Sequence, residues 1–140
     1  MTLPYSLSDF EGNWSLSRTI HDARAGQVAQ AEGHAVLRPS DDGLIYDEEV
    51  SLHIPGQAKM KGTRRYLWRD ADDWIAIHFD DERYFHALKL GQSQFRDHHD
   101  CPPDSYDAVY DFSGWPIWSV SWTVKGPRKA YEMKTEYRPR

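Results

Sequence analysis

Two guanidiniums, Arg18 and Arg64, offer this chain fixed positive charge for an anion, and two imidazoles, His86 and His99, offer a proton near neutral pH. Glu48 and Asp97 add carboxylates, and Tyr66 and Tyr106 add phenols that both donate and accept. All eight fall on positions that alternation assigns to the inner faces of strands. Buried charges are costly unless paired. Such a set therefore either satisfies itself around waters or lines a pocket, and the composition is consistent with both. Trp118 and Trp122 add two indoles on one strand face, able to stack a flat ligand or simply to fill a core.

Two sharper chemistries can be weighed on the same residues. A His86–Asp97 pair would orient an imidazole as a general base with Cys101 or Tyr106 as its partner, although a histidine satisfied by a carboxylate in a wall explains the same pair. The tract His99-Asp100-Cys101-Pro102-Pro103-Asp104, with His98 as a spare, holds zinc-ligand types. It lacks C-x-x-C or H-x-x-x-H spacing, and two prolines fix the backbone that would have to wrap the ion. No metal is expected. Cys101 reads as a small loop-packing residue with an inert thiol.

The elements that must position these groups are strands. From Ile117 to Val124 alternation is strict, with Trp118, Val120, Trp122 and Val124 on one side, and beyond Gly126-Pro127 a second run carries Tyr131, Met133, Thr135 and Tyr137. Upstream, Trp14, Leu16, Arg18 and Ile20 share a face. Val28–Leu37 follows, with Gly33 suggesting a bulge or sharp bend. Leu44, Tyr46, Glu48, Val50 and Leu52 alternate next. A three-residue loop around Pro55-Gly56 sets Arg64 opposite Glu48 as its predicted ion partner; a two-residue loop would substitute Arg65 and spoil the apolar face. Ile75, Ile77 and Phe79 then face Leu88, His86 and Tyr84, leaving Phe85, Trp74 and Tyr5 outside. A short Gly91-Gln92 turn aligns His86 with Asp97 and Tyr84 with His99. Tyr106, Ala108, Tyr110 and Phe112 form the next inner face. One helical turn over Leu7–Phe10, capped by Ser6 or Ser8, precedes the first strand.

The result is about ten short strands in meander order: an all-β, single antiparallel β-barrel domain over residues 1–140, with an open sandwich as the alternative. A chain of this length buries roughly 70% of its unfolded surface, and its one cysteine excludes an internal disulfide. The net charge of −5 argues against binding nucleic acid through phosphates. The basic stretch from Lys125 to Arg140 reads as a solvated strand face. With no apolar run long enough to span a bilayer, a cytoplasmic protein without membrane partners is expected, and nothing indicates a homodimer.

Gly12-Asn13-Trp14 matches the lipocalin G-x-W signature, and the chain resembles the calycins, the barrel group of lipocalins, fatty-acid-binding proteins and nitrobindins. That resemblance implies that Trp14 plugs one end of the barrel beneath a basic residue of the last strand, Arg138 or Lys134. A fuller pattern runs along nearly the whole chain. It comprises F-x-G-x-W at Phe10–Trp14, R-Y-x-W at Arg65–Trp68, Phe85-His86, H-x-C-x-x-D-x-Y at His99–Tyr106 and W-x-V-x-G-P-x-K at Trp122–Lys129. It is similar to a small bacterial and fungal domain family of unassigned function, which implies no activity. Haem binding of the nitrobindin kind needs a late histidine, and none follows His99. The Arg-x-Tyr pair of fatty-acid binders is replaced by Tyr137-Arg138.

Three functions follow in order. The first is a binding barrel for a small, anionic, partly aromatic molecule of unknown identity, with Arg18 and Arg64 as charge partners. Protonation of His86 and His99 would then tighten binding as pH falls through about 6.5. The second is acid–base catalysis in the same pocket through His86 and His99. The third is a solid barrel that pairs with other proteins through its outer aromatics. No cofactor is specified.

Overall fold

A computed structural model describes residues 2–140. A short 3-10 turn over Leu7–Phe10 leads into ten strands: β1 (Gly12–Asp22), β2 (Gln27–Ser40), β3 (Gly43–His53), β4 (Met60–Ala71), β5 (Trp74–Phe79), β6 (Tyr84–Lys89), β7 (Gln94–Cys101), β8 (Asp104–Asp111), β9 (Trp118–Lys125) and β10 (Ala130–Pro139). They form a single antiparallel sheet in the order β6-β5-β4-β3-β2-β1-β10-β9-β8-β7. The first strand thus pairs with the last, and the sheet curls into a nearly closed barrel. In the N-terminal turn, Asp9 accepts the backbone N–H of Ser6 at 3.1 Å and of Tyr5 at 2.9 Å, which holds the chain as it enters β1.

The expected β3–β4 register holds, with Glu48 opposite Arg64 and Tyr46 opposite Tyr66. Gly33 is not a bulge. The β2–β3 ladder runs through it unbroken, and a Cβ there would lie 2.0 Å from the Glu49 carbonyl oxygen. Glycine is required because the two backbones approach too closely for any side chain. Pro39 and Ser40 continue β2, and Asp70 and Ala71 continue β4, so both turns are tighter than the runs of turn-forming residues suggest. Cys101 and Asp104 pair as strand ends, so only Pro102-Pro103 forms that turn.

Two departures reshape the β5–β7 region. The β5–β6 register slips between Ile77 and His78, so that His78 faces Tyr84 while Ile77 faces His86. Phe85 is the extra residue of this bulge. It turns inward and is buried, whereas Tyr84 turns out and is 52% exposed, the reverse of simple alternation. The Gly91-Gln92 connection, moreover, is not a hairpin: β6 and β7 are the two ends of the sheet order. They lie side by side along a seam that the Asp97 carboxylate spans, accepting the Ala87 backbone N–H at 2.8 Å. Asp97 therefore faces the β6 backbone and not the imidazole of His86.

The interior is layered along the barrel axis. At one end Phe10 is fully buried and meets Trp68, Trp115 and Trp118 edge-on at 5.4, 5.1 and 5.4 Å between ring centroids. Trp14 packs beside them and donates its Nε1–H to the Phe10 carbonyl at 2.9 Å. Arg138 does not cover this indole. It lies opposite Ser15, points outward and pairs with Glu136, because Trp14 and Arg138 fall on opposite faces of the β1–β10 ladder. Lys134 is exposed as well. Among the described residues no helix is long and apolar enough to cross a membrane.

Candidate functional site

The other end of the barrel is open. A cavity of about 600 Å³ sits there, lined by Arg64, Tyr66, Phe85, Tyr106, Trp122 and Tyr131 among others. Its apolar wall is built around Phe85, which stacks on Phe79 at 4.4 Å and on Trp122 at 5.0 Å with planes 8° apart. His99 and Tyr106 meet the same ring edge-on at 5.2 and 6.2 Å. The β6 bulge makes this possible by turning Phe85 into the barrel. The size and apolar lining of the cavity fall within the usual range for a small-molecule pocket.

The charges at the mouth are not equivalent. Arg65 binds Asp47 at 2.7 Å, and Lys129 binds Asp104 at 3.1 Å. Arg64 meets no carboxylate within ion-pair distance among the described residues. Its one polar contact among these residues is a 3.3 Å hydrogen bond from Nη1 to the Tyr66 hydroxyl. Lys129 in turn donates to the Tyr106 hydroxyl at 3.2 Å. Each of these two phenols accepts from a cation, so its own proton remains available to a third group. Tyr131 stands among them; burial first, then Tyr106, raise its hydroxyl above the usual value.

Between the aromatic plug and the cavity lies a belt of polar groups. Arg18 and Glu48 form a two-pronged ion pair at 2.8 and 2.9 Å, and Arg18 Nε donates to Thr135 Oγ1 at 2.8 Å. Tyr46 donates to Glu48 at 2.6 Å and contacts the Tyr137 hydroxyl at 2.7 Å. Burial would raise the Glu48 carboxyl, but the Arg18 guanidinium and the Tyr46 hydroxyl outweigh it and hold the group below its ordinary range. The expected Glu48–Arg64 ion pair is therefore replaced by Glu48–Arg18. Between the two, the inner face of the intervening β2 carries Ala31, Gly33 and Ala35. Over that low stripe the long Arg18 side chain reaches β3.

His86 is also buried. Its Nε2 lies 2.7 Å from the Tyr110 hydroxyl, and burial, reinforced by His99, pulls it down to about 3. It stays neutral at physiological pH and cannot supply the pH-dependent charge that its residue type suggests.

The model of a family of unknown function, DUF6314, matches residues 10–139. The chain belongs to that family. No curated protein sequence matches it. Among solved structures it is similar to an S-type phycobiliprotein lyase, CPES, from Guillardia theta. The TM-score is 0.61 at 12% identity, over 94% of this chain and 90% of that one. A redesigned β-barrel, mFAP1, bound to DFHBI, aligns with a TM-score of 0.45 at 11% identity over 96% and 99%. At such identity the lyase likeness shows a shared fold and no more.

Within this DUF6314 barrel the residues singled out by type divide three ways. Arg64, Tyr66, His99, Tyr106 and Trp122 line the open cavity. Arg18, Glu48, His86 and Trp118 lie deeper, around a smaller chamber, and Asp97 lies at the seam. The metal-like tract is split across the wall. His98 faces out between Asp107 and Asp100 at 2.6 and 2.7 Å, while His99 and Cys101 face in. Cys101 is exposed at the cavity rim and not packed into a loop, because β7 extends through it. Alternation alone assigns Phe85 to the outside. The only hint to the contrary is that two adjacent residues, Phe85 and His86, both suit an interior, as a bulge allows. The solid-barrel reading does not describe the open end.

Proposed function

We propose that the barrel binds a small, flat, anionic molecule in its open cavity, with Arg64 as the charge partner and Phe85 and Trp122 as the aromatic wall. The observation that carries this reading is the unpaired state of Arg64. It stands at the mouth of an apolar cavity while Glu48, its cross-strand neighbour, is committed to Arg18. A guanidinium in that setting gains most from a planar carboxylate, which it can hold through two parallel bonds. Tyr66 and Tyr106 support the same preference, since both have a proton left to donate and neither offers the ligand a negative charge. Asp80 and Asp81 stand at the rim, and Asp81 is neutralised by Arg83 at 2.7 Å.

The test is titration of purified protein with a panel of aromatic and aliphatic acids, read by quenching of Trp122 fluorescence. Flat acids should quench, and Arg64→Met should abolish the response while leaving the thermal melt unchanged. Absence of quenching by every acid, or equal quenching in Arg64→Met, would overturn the reading. Native mass spectrometry of freshly purified protein should show a co-purified acid.

A further inference from the structure

A chamber of about 50 Å³ lies inward of the cavity, and Arg64, Tyr66, Phe85, Trp122 and Met133 line both. Two side chains on its wall carry nitrogen atoms without partners. Trp118 Nε1 and His86 Nδ1 are buried and have no hydrogen-bond partner among the described residues. The residues themselves are only 2% and 3% exposed. Buried donors of this kind are nearly always matched, by protein, water or ligand.

The tautomer of His86 follows from the direction of its bond to the Tyr110 hydroxyl, 2.7 Å from Nε2: where the hydroxyl donates there, the ring proton sits on Nδ1. In that tautomer two residues of the chamber wall each carry an unpartnered N–H, one on the imidazole and one on the indole. Of the charges that line the chamber, Arg18 and Glu48 neutralise each other and Arg64 is taken by the carboxylate in the outer cavity, so nothing there favours a second ion. The space is ample for an oxygen atom, since a single water needs on the order of 10–15 Å³.

We propose that this chamber is an inner compartment of the binding site, in which Trp118 Nε1–H and His86 Nδ1–H receive a neutral oxygen acceptor of the ligand, such as a ketone or aldehyde carbonyl. The inference rests on the anion reading of the outer cavity. The ligand it describes carries a carboxylate at one end, held at Arg64, and an uncharged carbonyl at the other.

Calorimetric titration with benzoate and with its 3- and 4-acetyl derivatives tests this. At least one acetyl acid should bind about tenfold more tightly than benzoate, an advantage of the size that one or two neutral hydrogen bonds supply. Trp118→Phe removes the N–H and keeps a smaller aromatic ring beside Tyr137. It should cut the advantage to within about twofold and leave benzoate binding unchanged. If both acetyl acids bind no better than benzoate, or if the advantage survives in Trp118→Phe, the inner compartment is refuted while the Arg64 reading stands. If none of the acids binds, both fall together. Should Trp118→Phe not fold, a crystal of the wild-type protein soaked with the tighter acetyl acid decides. A carbonyl oxygen within hydrogen-bond distance of Trp118 Nε1 supports the compartment, and a carbonyl turned outward refutes it.

Discussion

Phe10 and Phe85 are the same residue at opposite ends of one barrel. Phe10 is met edge-on by Trp68, Trp115, Trp118 and Phe112, with ring centroids 5.1 to 5.8 Å away. Those contacts close its end. Phe85 stacks face to face with Phe79 and Trp122, and its remaining neighbours include His99, Tyr66 and Tyr106, all of which border open space. Aromatic content alone thus says little about whether a ring seals or receives. What differs is the chain around each. The 3-10 turn and the Trp115 loop fold over Phe10. Around Phe85 the strands end in short hairpin turns, such as Asp80–Glu82 and Pro102-Pro103, that leave the mouth uncovered.

If the contrast is right, substitutions at the closed end act on stability and those at the open end act on binding. The largest effect is expected for Trp14→Ala, at about 3–5 kcal/mol of unfolding free energy, as for other buried indoles. A small change on chemical denaturation would mean that the plug is not what holds the closed end. Arg18→Met, in the belt between, should cost a comparable 3–5 kcal/mol because it leaves Glu48 charged, buried and unpaired. Adding Glu48→Gln should recover part of that loss, and strict additivity would show that the two groups do not interact.

Acid titration of stability sharpens the same point. The Glu48 carboxyl is depressed in the folded state, so its contribution is present above the unfolded value of about 4.3 and is lost as pH falls below it. His86 acts in the same sense at higher pH. Its folded value of about 3 lies below the unfolded 6.5, so stability is complete above about 6.5 and drains as pH falls towards 3. Replacing His86 with Asn should flatten that part of the curve, and an unchanged slope would place the histidine in solvent.

At the open end Arg64→Met should change stability by no more than about 0.5 kcal/mol, as for exposed positions generally, while removing anion binding. Equal loss of stability and binding would erase the distinction between the ends. The smallest effect is expected on the outer surface at His98, whose value is raised by Asp107 and Asp100. A raised histidine contributes below its unfolded value of about 6.5 and loses that contribution as pH rises through the folded one. Melting curves of wild type and His98→Asn should therefore differ more at pH 5.5 than at pH 8.5.

Period-two alternation was enough to read the ten strands, their meander order and the Glu48–Arg64 register, because each buried face repeats apolar residues with little ambiguity. What alternation does not encode is a change of phase. The bulge at Phe85 exchanges the inner and outer roles of Tyr84 and Phe85, and no residue there is a glycine or proline to announce it. Nor does alternation report which of several inner charges will pair. Arg18 and Glu48 are separated by a whole strand, and only the low Ala31-Gly33-Ala35 stripe between them shows that they can meet. The seam is hidden for a similar reason: a short connection such as Gly91-Gln92 usually joins hydrogen-bonded partners, yet here a side chain takes the place of the ladder.

That seam makes the barrel a split ring and not a welded one. The wall that carries Phe85 ends at a free strand edge, and among the described residues the hydrogen bond that spans the gap to the next strand is a carboxylate on a single backbone amide, beside ring contacts such as Phe85 on His99. A welded ring keeps its circumference until several backbone hydrogen bonds break together. In a split ring the hydrogen-bonded part of the closure can rest on one clasp, and here that clasp is the Asp97 side chain, within reach of a point substitution.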